Sequence, residues 1–239
     1  MNGILFKDWK IQAIRDNPDR EWQTRRLSGL YEINQEPNKW TLIQAVRDIS
    51  LVKEGDYVCQ HTDGHCVVVK PRYRVGEVVY IKEAYKVLDF DLGDIDKPLQ
   101  RVKVEYKLDS ETRWVMKPVD KRIVIPDKWH SPMMMPKWSA RYFIKITSVR
   151  PERAQEISQD DALAEGVTRL LASQLGISVS PSQEIFNLTQ ARRVFSSLWD
   201  SINAKPRKIV TPTHKPITIL AYSLSSNPWL WRYEFTVNK

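Results

Sequence analysis

The densest group of chemically active side chains in the sequence lies at residues 19–26, which read Asp-Arg-Glu-Trp-Gln-Thr-Arg-Arg. These eight residues carry five ionisable side chains, a hydroxyl group and an indole. Guanidinium groups bind phosphate oxygens and base edges through paired hydrogen bonds, and an indole offers a flat face on which a base can stack. The stretch is therefore predicted to form the floor of a site for a polar, flat ligand.

The same stretch resembles the signature of the ASCH family, a branch of the PUA-like small β-barrels, whose motif runs roughly Gly-x-Lys-Thr-x-Thr/Glu-x-Arg. Thr24 falls on the hydroxyl or acidic position of that motif, and Arg26 falls on its closing arginine. Glu21 stands where the family usually has lysine, and Asp19 stands where it has glycine.

Further stretches resemble the longer ASCH-like proteins of tailed phages and prophages, and they occur in the same order along the chain. They are residues 75–85, 135–141, 157–166, 198–203 and 227–229. The resemblance implies an α+β fold, a small mixed β-barrel with flanking helices and inserted hairpins. It also implies one elaborated domain over residues 1–239, with insertions at 27–70 and 86–128, encoded by a phage or prophage.

Composition favours an anionic partner. The 239 residues carry a net charge of +8 with a pI near 9.4, and 42% are hydrophobic, which is enough for a substantial core. No run reaches the roughly 20 apolar residues of a membrane span, and two cysteines give no disulfide framework. We expect a cytoplasmic protein with no cofactor and no membrane partner, and the sequence leaves its oligomeric state open.

Several elements are predicted to position the motif. Residues 3–6 form a first strand, and residues 7–16 form a helix whose Trp9, Ala13 and Ile14 share one face. Residues 75–82 are a buried β-branched strand, and residues 229–237 alternate as a strand with one aromatic face.

Two helices are indicated near the carboxyl-terminal third. A capping box opening at Ser158 and a glycine at 166 predict a short helix that places Glu165 in its last turn. Apolar residues at helical spacing over residues 189–203 predict the clearest helix of the chain. Residues 129–138 and 205–216 are expected to be loops, and residues 101–108 one strand of a peripheral hairpin within the second insertion.

Residues 56–69 predict a β-hairpin in which Asp63 and Gly64 adopt the positive φ angles of the turn. Its segment 59–66 contains two cysteines and two histidines, which are good zinc ligands. The spacing is not that of a standard zinc knuckle, and a central turn would alternate the side chains between two faces. We therefore expect an ordinary hairpin and no metal.

The function favoured by these residues is binding of single-stranded RNA or DNA, or of a modified nucleoside. An indole would stack a base, and arginines would pair with phosphate. The predicted binding residues are Arg20, Trp22, Arg25, Arg26, Lys82 and Arg141, with Glu83 as a further neighbour.

An alternative is hydrolysis of acylated cytidine, which one ASCH branch performs with a threonine, a lysine and a glutamate. By motif position this chain keeps the threonine as Thr24 and the glutamate as Glu165, but Glu21 replaces the lysine. A threonine hydroxyl needs a neighbouring base, and arginine cannot serve as one near neutral pH. Glu21 or Glu165 would have to take that role.

Two other interpretations stay open. A second ASCH branch implies a metal-dependent ribonuclease, for which Asp19, Glu21 and Glu165 could supply carboxylates. The phage resemblance also allows a structural protein of a virion.

Overall fold

The structure is a computed structural model that describes residues 1–44, 52–91, 99–119, 128–177, 188–205, 207–210, 216–219 and 222–238. Its fold class is α+β, with strands in the majority, as predicted. The chain divides into two compact units. Unit 1 comprises Met1–Arg20, Gly76–Lys145 and Thr236–Lys239, and unit 2 comprises Glu21–Val75 and Ile146–Phe235.

The elements are numbered along the chain. The strands are β1 (Gly3–Leu5), β2 (Trp22–Arg26), β3 (Trp40–Gln44), β4 (Tyr57–His61), β5 (Cys66–Val69), β6 (Val78–Lys82), β7 (Tyr85–Asp91), β8 (Leu99–Tyr106), β9 (Thr112–Pro118), β10 (Phe143–Arg153), β11 (Arg207–Val210), β12 (Pro216–Ile219) and β13 (Trp229–Asn238). The helices are α1 (Asp8–Asp16), α2 (Gln159–Ala164), α3 (Arg169–Gln174) and α4 (Leu188–Asn203). Among the described strands, no sheet closes into a barrel.

Unit 1 contains the first strand and the buried strand that the sequence predicts. β1 pairs in parallel with β6, and the beginning of β10 pairs antiparallel with the same strand. The face of α1 differs from the prediction, because Lys10, Ile11 and Ile14 are buried whereas Trp9 and Ala13 are partly exposed.

The second insertion forms a three-stranded antiparallel sheet in unit 1, in the order β7-β8-β9, rather than a single hairpin. Alternate residues of β8 point inward, so that Val102, Val104 and Tyr106 are fully buried beside Met135. Met135 comes from the segment 129–138, which contains two short 3₁₀ turns.

In unit 2, β2 pairs antiparallel with β13, with Thr24 opposite Tyr233 and Arg25 opposite Arg232. The predicted aromatic face of β13 is confirmed, because Trp231, Tyr233 and Phe235 are all fully buried. The alternate residues of β13 point to the other face and carry Arg232 and Glu234.

The hairpin expected at residues 56–69 is confirmed as β4 and β5, but a third strand, β3, pairs with β4. Residues 205–216 are not simply a loop, since β11 and β12 pair there as a second hairpin, with residues 211–215 outside the described part. Lysine and proline have low strand propensity, so the sequence here predicted a loop and not a pair of strands.

Both predicted helices of unit 2 are confirmed. The Ser158 hydroxyl accepts a hydrogen bond from the Asp161 backbone at 3.1 Å, and the Asp161 carboxylate accepts one from the Ser158 backbone at 3.1 Å. Gly166 has a φ of +89° and ends the helix directly after Glu165. None of the described helices is long and apolar enough to cross a membrane.

Candidate functional site

The site is built around the buried guanidinium of Arg25 on β2. Its Nε donates to Glu152 Oε1 at 2.5 Å, and its Nη1 donates to Glu165 Oε1 and Gln23 Oε1, each at 3.2 Å. The Arg25 side chain is 1% exposed. Glu165 lies 140 residues from Arg25 in the sequence, so their contact is a product of the fold.

A second arginine lies opposite Arg25 on β13. Arg232 Nη2 contacts Asp161 Oδ1 at 2.9 Å and Glu234 Oε1 at 2.5 Å, and its Nη1 lies 3.6 Å from Glu152 Oε2. We call this set the arginine–carboxylate cluster. Its members are Arg25, Arg232, Glu152, Asp161, Glu165 and Glu234.

Helix α2 delivers two of these carboxylates because of its periodicity. Asp161 and Glu165 are four residues apart, a spacing that puts them on the same helical face. Both therefore reach the guanidinium of Arg25, at 3.6 Å for Asp161 and 3.2 Å for Glu165. Two buried guanidinium groups thus face four carboxylates, and Arg150 adds a third, exposed guanidinium at 3.9 Å from Glu152 Oε2. The cluster still has no surplus of positive charge for an anion.

The surroundings of Asp161 favour its ionised form. Burial by itself raises the pKa of Asp161, but hydrogen bonds from Ser158 and Gln23 and the charge of Arg25 together hold that pKa below its ordinary value.

This balance predicts a loss of stability in acid. Because the folded pKa of Asp161 lies below the unfolded value of about 3.9, the stabilisation is complete above that pH and is lost as the pH falls through the folded pKa. Asp161→Asn should therefore flatten the decline in the free energy of unfolding below about pH 4, measured by urea denaturation. Asp160→Asn, an exposed neighbour on the same helix, is the control and should keep the wild-type decline. Identical pH profiles for Asp161→Asn and wild type would contradict this role of Asp161.

The opposite face of β2 carries Arg26 beside two tyrosines. Burial lowers the pKa of Arg26, the charge of Glu165 opposes that shift, and the nearby charge of Arg72 adds to it. The Tyr233 hydroxyl accepts a hydrogen bond from the Arg72 backbone at 3.0 Å, and the ring of Tyr73 packs edge-on against Tyr233 at 5.4 Å. We call Arg26, Arg72, Tyr73 and Tyr233 the arginine–tyrosine patch.

The patch carries two like charges that act on each other. Arg72 is exposed, and its guanidinium carbon lies 5.6 Å from the centre of the Tyr73 ring. Arg26 is half-buried, and the charge of Glu165 is the main favourable electrostatic interaction on its guanidinium. Glu165 therefore contacts Arg25 on one side of β2 and acts on Arg26 on the other.

The structure thus brings together three of the site residues predicted from sequence, namely Arg25, Arg26 and Glu165. Thr24 is 4% exposed, and strand alternation puts its side chain on the Arg26 side of β2, away from Arg25. The contribution of Thr24 to catalysis stays a prediction.

Two other motif residues lie apart from this convergence. Trp22 is 1% exposed and belongs to the core of unit 2, so its indole offers no exposed face to a base. Glu21 is exposed, and its carboxylate accepts a hydrogen bond from the Thr147 hydroxyl at 3.2 Å.

The remaining predicted binding residues belong to unit 1. Arg20 is exposed, and Lys82 Nζ donates to the Met133 carbonyl at 3.0 Å. Arg141 is fully buried and donates to both oxygens of Glu83, at 2.7 Å and 2.9 Å. Its Nη1 also contacts Asp109 at 2.9 Å and Glu111 at 2.5 Å. Within unit 1, Arg141 therefore joins Glu83, which follows β6, to the two acidic residues of the turn between β8 and β9.

Sequence reasoning missed Glu152, Arg232 and Arg72. Arg232 stands at an alternate position of an aromatic strand, a pattern that could have flagged it as facing the opposite side of the sheet. The sequence around Glu152 and Arg72 gives no such signal. Their place in the site depends on contacts with residues that are far away in the sequence.

Metal-ligating side chains gather elsewhere in unit 2. In the part of the chain that the structure describes, the group of three or more such residues is His61, Asp63 and His65. That group contains none of the carboxylates that the ribonuclease interpretation requires, namely Asp19, Glu21 and Glu165. The ribonuclease activity stays a prediction.

Comparisons of the chain with protein-family models, with curated proteins and with solved structures found no match.

Proposed function

We propose that the chain binds single-stranded nucleic acid, or a nucleoside derived from it, through the arginine–tyrosine patch of unit 2. The observation that carries the proposal is that Glu165 contacts Arg25 and acts on the charge of Arg26, although it lies 140 residues from Arg25 in the sequence. Arg25 and Glu165 anchor the strand from the buried side, and Arg26 and Arg72 face the ligand.

The charges of the patch favour a phosphate group. Two guanidinium groups held near each other repel, and an anion between them would relieve that repulsion. Arginine binds phosphate oxygens through paired, charge-assisted hydrogen bonds. The surplus of carboxylates belongs to the arginine–carboxylate cluster on the other face, where it compensates buried arginines.

The patch also has a group suited to stacking a base. Tyr233 is fully buried, and its hydroxyl accepts a hydrogen bond from the Arg72 backbone, so it positions Arg72 and does not itself reach a ligand. Arg72 is exposed over the Tyr73 ring, and a planar guanidinium supported in this way is a stacking surface for a base. The net charge of +8 would attract the polyanion over longer distances.

With this function we propose the family. The chain would be an elaborated ASCH protein of a phage or prophage, descended from a PUA-like barrel, in which β2 carries the signature. Support comes from the positions of its matched residues, since Thr24 and Arg26 both lie on β2 and Glu165 lies at the end of α2.

The proposal predicts binding that weakens steeply with salt. Association of the chain with labelled single-stranded RNA or DNA should lose affinity linearly in a plot of log K against log salt, because phosphate contacts release counterions. Filter binding or fluorescence anisotropy at several salt concentrations measures this slope. No binding at low salt, or a flat response, would contradict nucleic-acid binding.

A second experiment measures binding and hydrolysis of acylated cytidine by the chain. Binding of the nucleoside without turnover would agree with a binding site. Consumption of acetylcytidine that is abolished by Thr24→Ala would instead establish the amidohydrolase, with Thr24 as its nucleophile.

A further inference from the structure

The turn between β4 and β5 brings two histidines to the same side of the hairpin. The His61 backbone donates to the His65 carbonyl at 2.9 Å, so the two residues lie opposite each other. Residues opposite each other in an antiparallel pair point to the same face. The sequence expectation that these side chains alternate between faces is therefore wrong for His61 and His65.

The turn also differs from the predicted one. The Gly64 backbone donates to the His61 carbonyl at 2.9 Å, and Gly64 alone takes a positive φ, of +98°, while Asp63 does not. This is a tight turn followed by a glycine bulge, which inserts an extra residue and lets Asp63 turn back over the hairpin end.

The carboxylate of Asp63 lies between the two imidazoles. Asp63 Oδ1 is 2.9 Å from His61 Nδ1 and 2.5 Å from His65 Nδ1. The three ligand atoms all lie within 4.8 Å of one another. Two imidazole nitrogens and a carboxylate oxygen are a ligand set typical of zinc and of other late divalent transition ions.

We propose that His61, Asp63 and His65 bind a divalent transition metal ion, with Zn²⁺ as the natural occupant and water in the fourth position. A tetrahedral ion with ligands at about 2.0 Å needs its donor atoms roughly 3.3 Å apart. The donor atoms are separated by 2.5 Å and 2.9 Å in the two histidine–aspartate pairs and all lie within 4.8 Å of one another, a range that includes that value.

Neighbouring side chains hold the ligands in place. Trp40 packs against both imidazoles, with ring centres 4.8 Å from His61 and 4.9 Å from His65. Glu36 Oε2 lies 3.8 Å from the other nitrogen of His61, Nε2, which is beyond hydrogen-bond distance. A carboxylate on this side of the ring is placed to orient a metal-bound histidine once it closes to hydrogen-bond distance.

Access to the proposed site is one-sided. The His61 side chain is 10% exposed and the His65 side chain 51% exposed, so an ion can enter from the His65 side.

The cysteines of the segment take no part in the proposed site. Cys59 is fully buried, and the group of ligand atoms among the described residues contains neither cysteine. Cys66 is exposed, and its sulfur lies 3.8 Å from the Gly64 carbonyl. The metal would thus be held by nitrogen and oxygen rather than by thiolate.

The test uses the 239-residue chain without a histidine tag. Calorimetric titration with Zn²⁺ should give one ion per chain, and Co²⁺ should give the visible absorption of a four-coordinate site. His65→Ala, which removes an exposed side chain, should weaken Zn²⁺ binding by at least about tenfold, and His61→Ala should do the same.

Two matched controls should keep the wild-type affinity. They are His130→Gln, a histidine of unit 1, and Cys66→Ser, in the same hairpin. Trp40→Phe should keep the stoichiometry but remove the part of the Zn²⁺-dependent change in tryptophan emission that arises beside the imidazoles. The site would be overturned by absence of Zn²⁺ binding, by unchanged affinity in both histidine variants, or by loss of binding in Cys66→Ser. None of these measurements depends on nucleic acid.

Discussion

Replacing Arg25 with methionine should lower the free energy of unfolding by about 3–5 kcal/mol. Methionine fills a similar volume but leaves Glu152, Asp161 and Glu165 with Arg232 as the one remaining arginine of the cluster. Carboxylates that are 7% to 14% exposed cannot recover their hydration without opening the structure, so the loss includes their desolvation. Chemical denaturation followed by circular dichroism measures the change.

A matched control and a double variant give that result a clear interpretation. Arg193→Met removes an exposed arginine from α4 and should change the free energy of unfolding by less than about 0.5 kcal/mol. Adding Glu165→Gln to Arg25→Met should recover only part of the loss, because the carboxylate that lost Arg25 is then neutral but Arg26 loses the favourable charge of Glu165. A cost below about 1 kcal/mol for Arg25→Met would show that the cluster is not electrostatically important.

Arg141→Met should produce a loss of similar size, about 3–5 kcal/mol, within unit 1. The Arg141 guanidinium contacts Glu83, Asp109 and Glu111, and its carbon lies 4.2 Å from the centre of the Tyr106 ring. Burial raises the pKa of Glu83 even with its arginine partner present, so that carboxylate would be protonated more readily once Arg141 is gone.

Two comparisons test this role of Arg141. Arg141→Lys keeps the charge but cannot form the paired contact with Glu83, and it should recover only part of the stability. Arg101→Met, an exposed arginine that lies over Trp114 in the same unit, should cost less than about 1 kcal/mol. Full stability in Arg141→Lys would mean that charge alone matters at this position.

Together these predictions separate arginines that hold the fold from arginines that could hold a ligand. Arg25 and Arg141 were both predicted to bind nucleic acid, and both are buried against several carboxylates. Arg72 is exposed and Arg26 is half-buried with its Nε atom shielded from solvent, and both lie beside tyrosines. Sequence distinguishes neither pair, because an arginine has the same pattern whether its partner is a carboxylate from a distant helix or a phosphate in solution.

Elements with a local signal were predictable from sequence. The apolar spacing of α4, the capping box of Ser158 and the aromatic alternation of β13 each arise from residues close together in the chain, and all three were confirmed. The strands β3 and β11 were missed because their stability comes from pairing with partner strands, which propensity does not encode.

The site itself was predictable only in part. The sequence named Arg25, Arg26 and Glu165 as separate candidates, and it did not predict that Arg25 would pair with Glu165. The burial of Trp22 and the participation of Glu152, Arg232 and Arg72 depend on the packing of β2 against its neighbours. The shared orientation of His61 and His65 was likewise not predicted from sequence. It follows from the glycine bulge in their turn and not from their spacing.

The most direct test of the proposed binding site is the salt dependence of nucleic-acid binding in an Arg72→Gln variant. Arg72 is exposed, so its replacement leaves the core intact, and Arg193→Gln serves as the exposed control. If the arginine–tyrosine patch binds phosphate, Arg72→Gln should weaken binding of single-stranded RNA or DNA and reduce the slope of log K against log salt by about 1, with no change in the control. Equal affinities and equal slopes for wild type, Arg72→Gln and Arg193→Gln would contradict it.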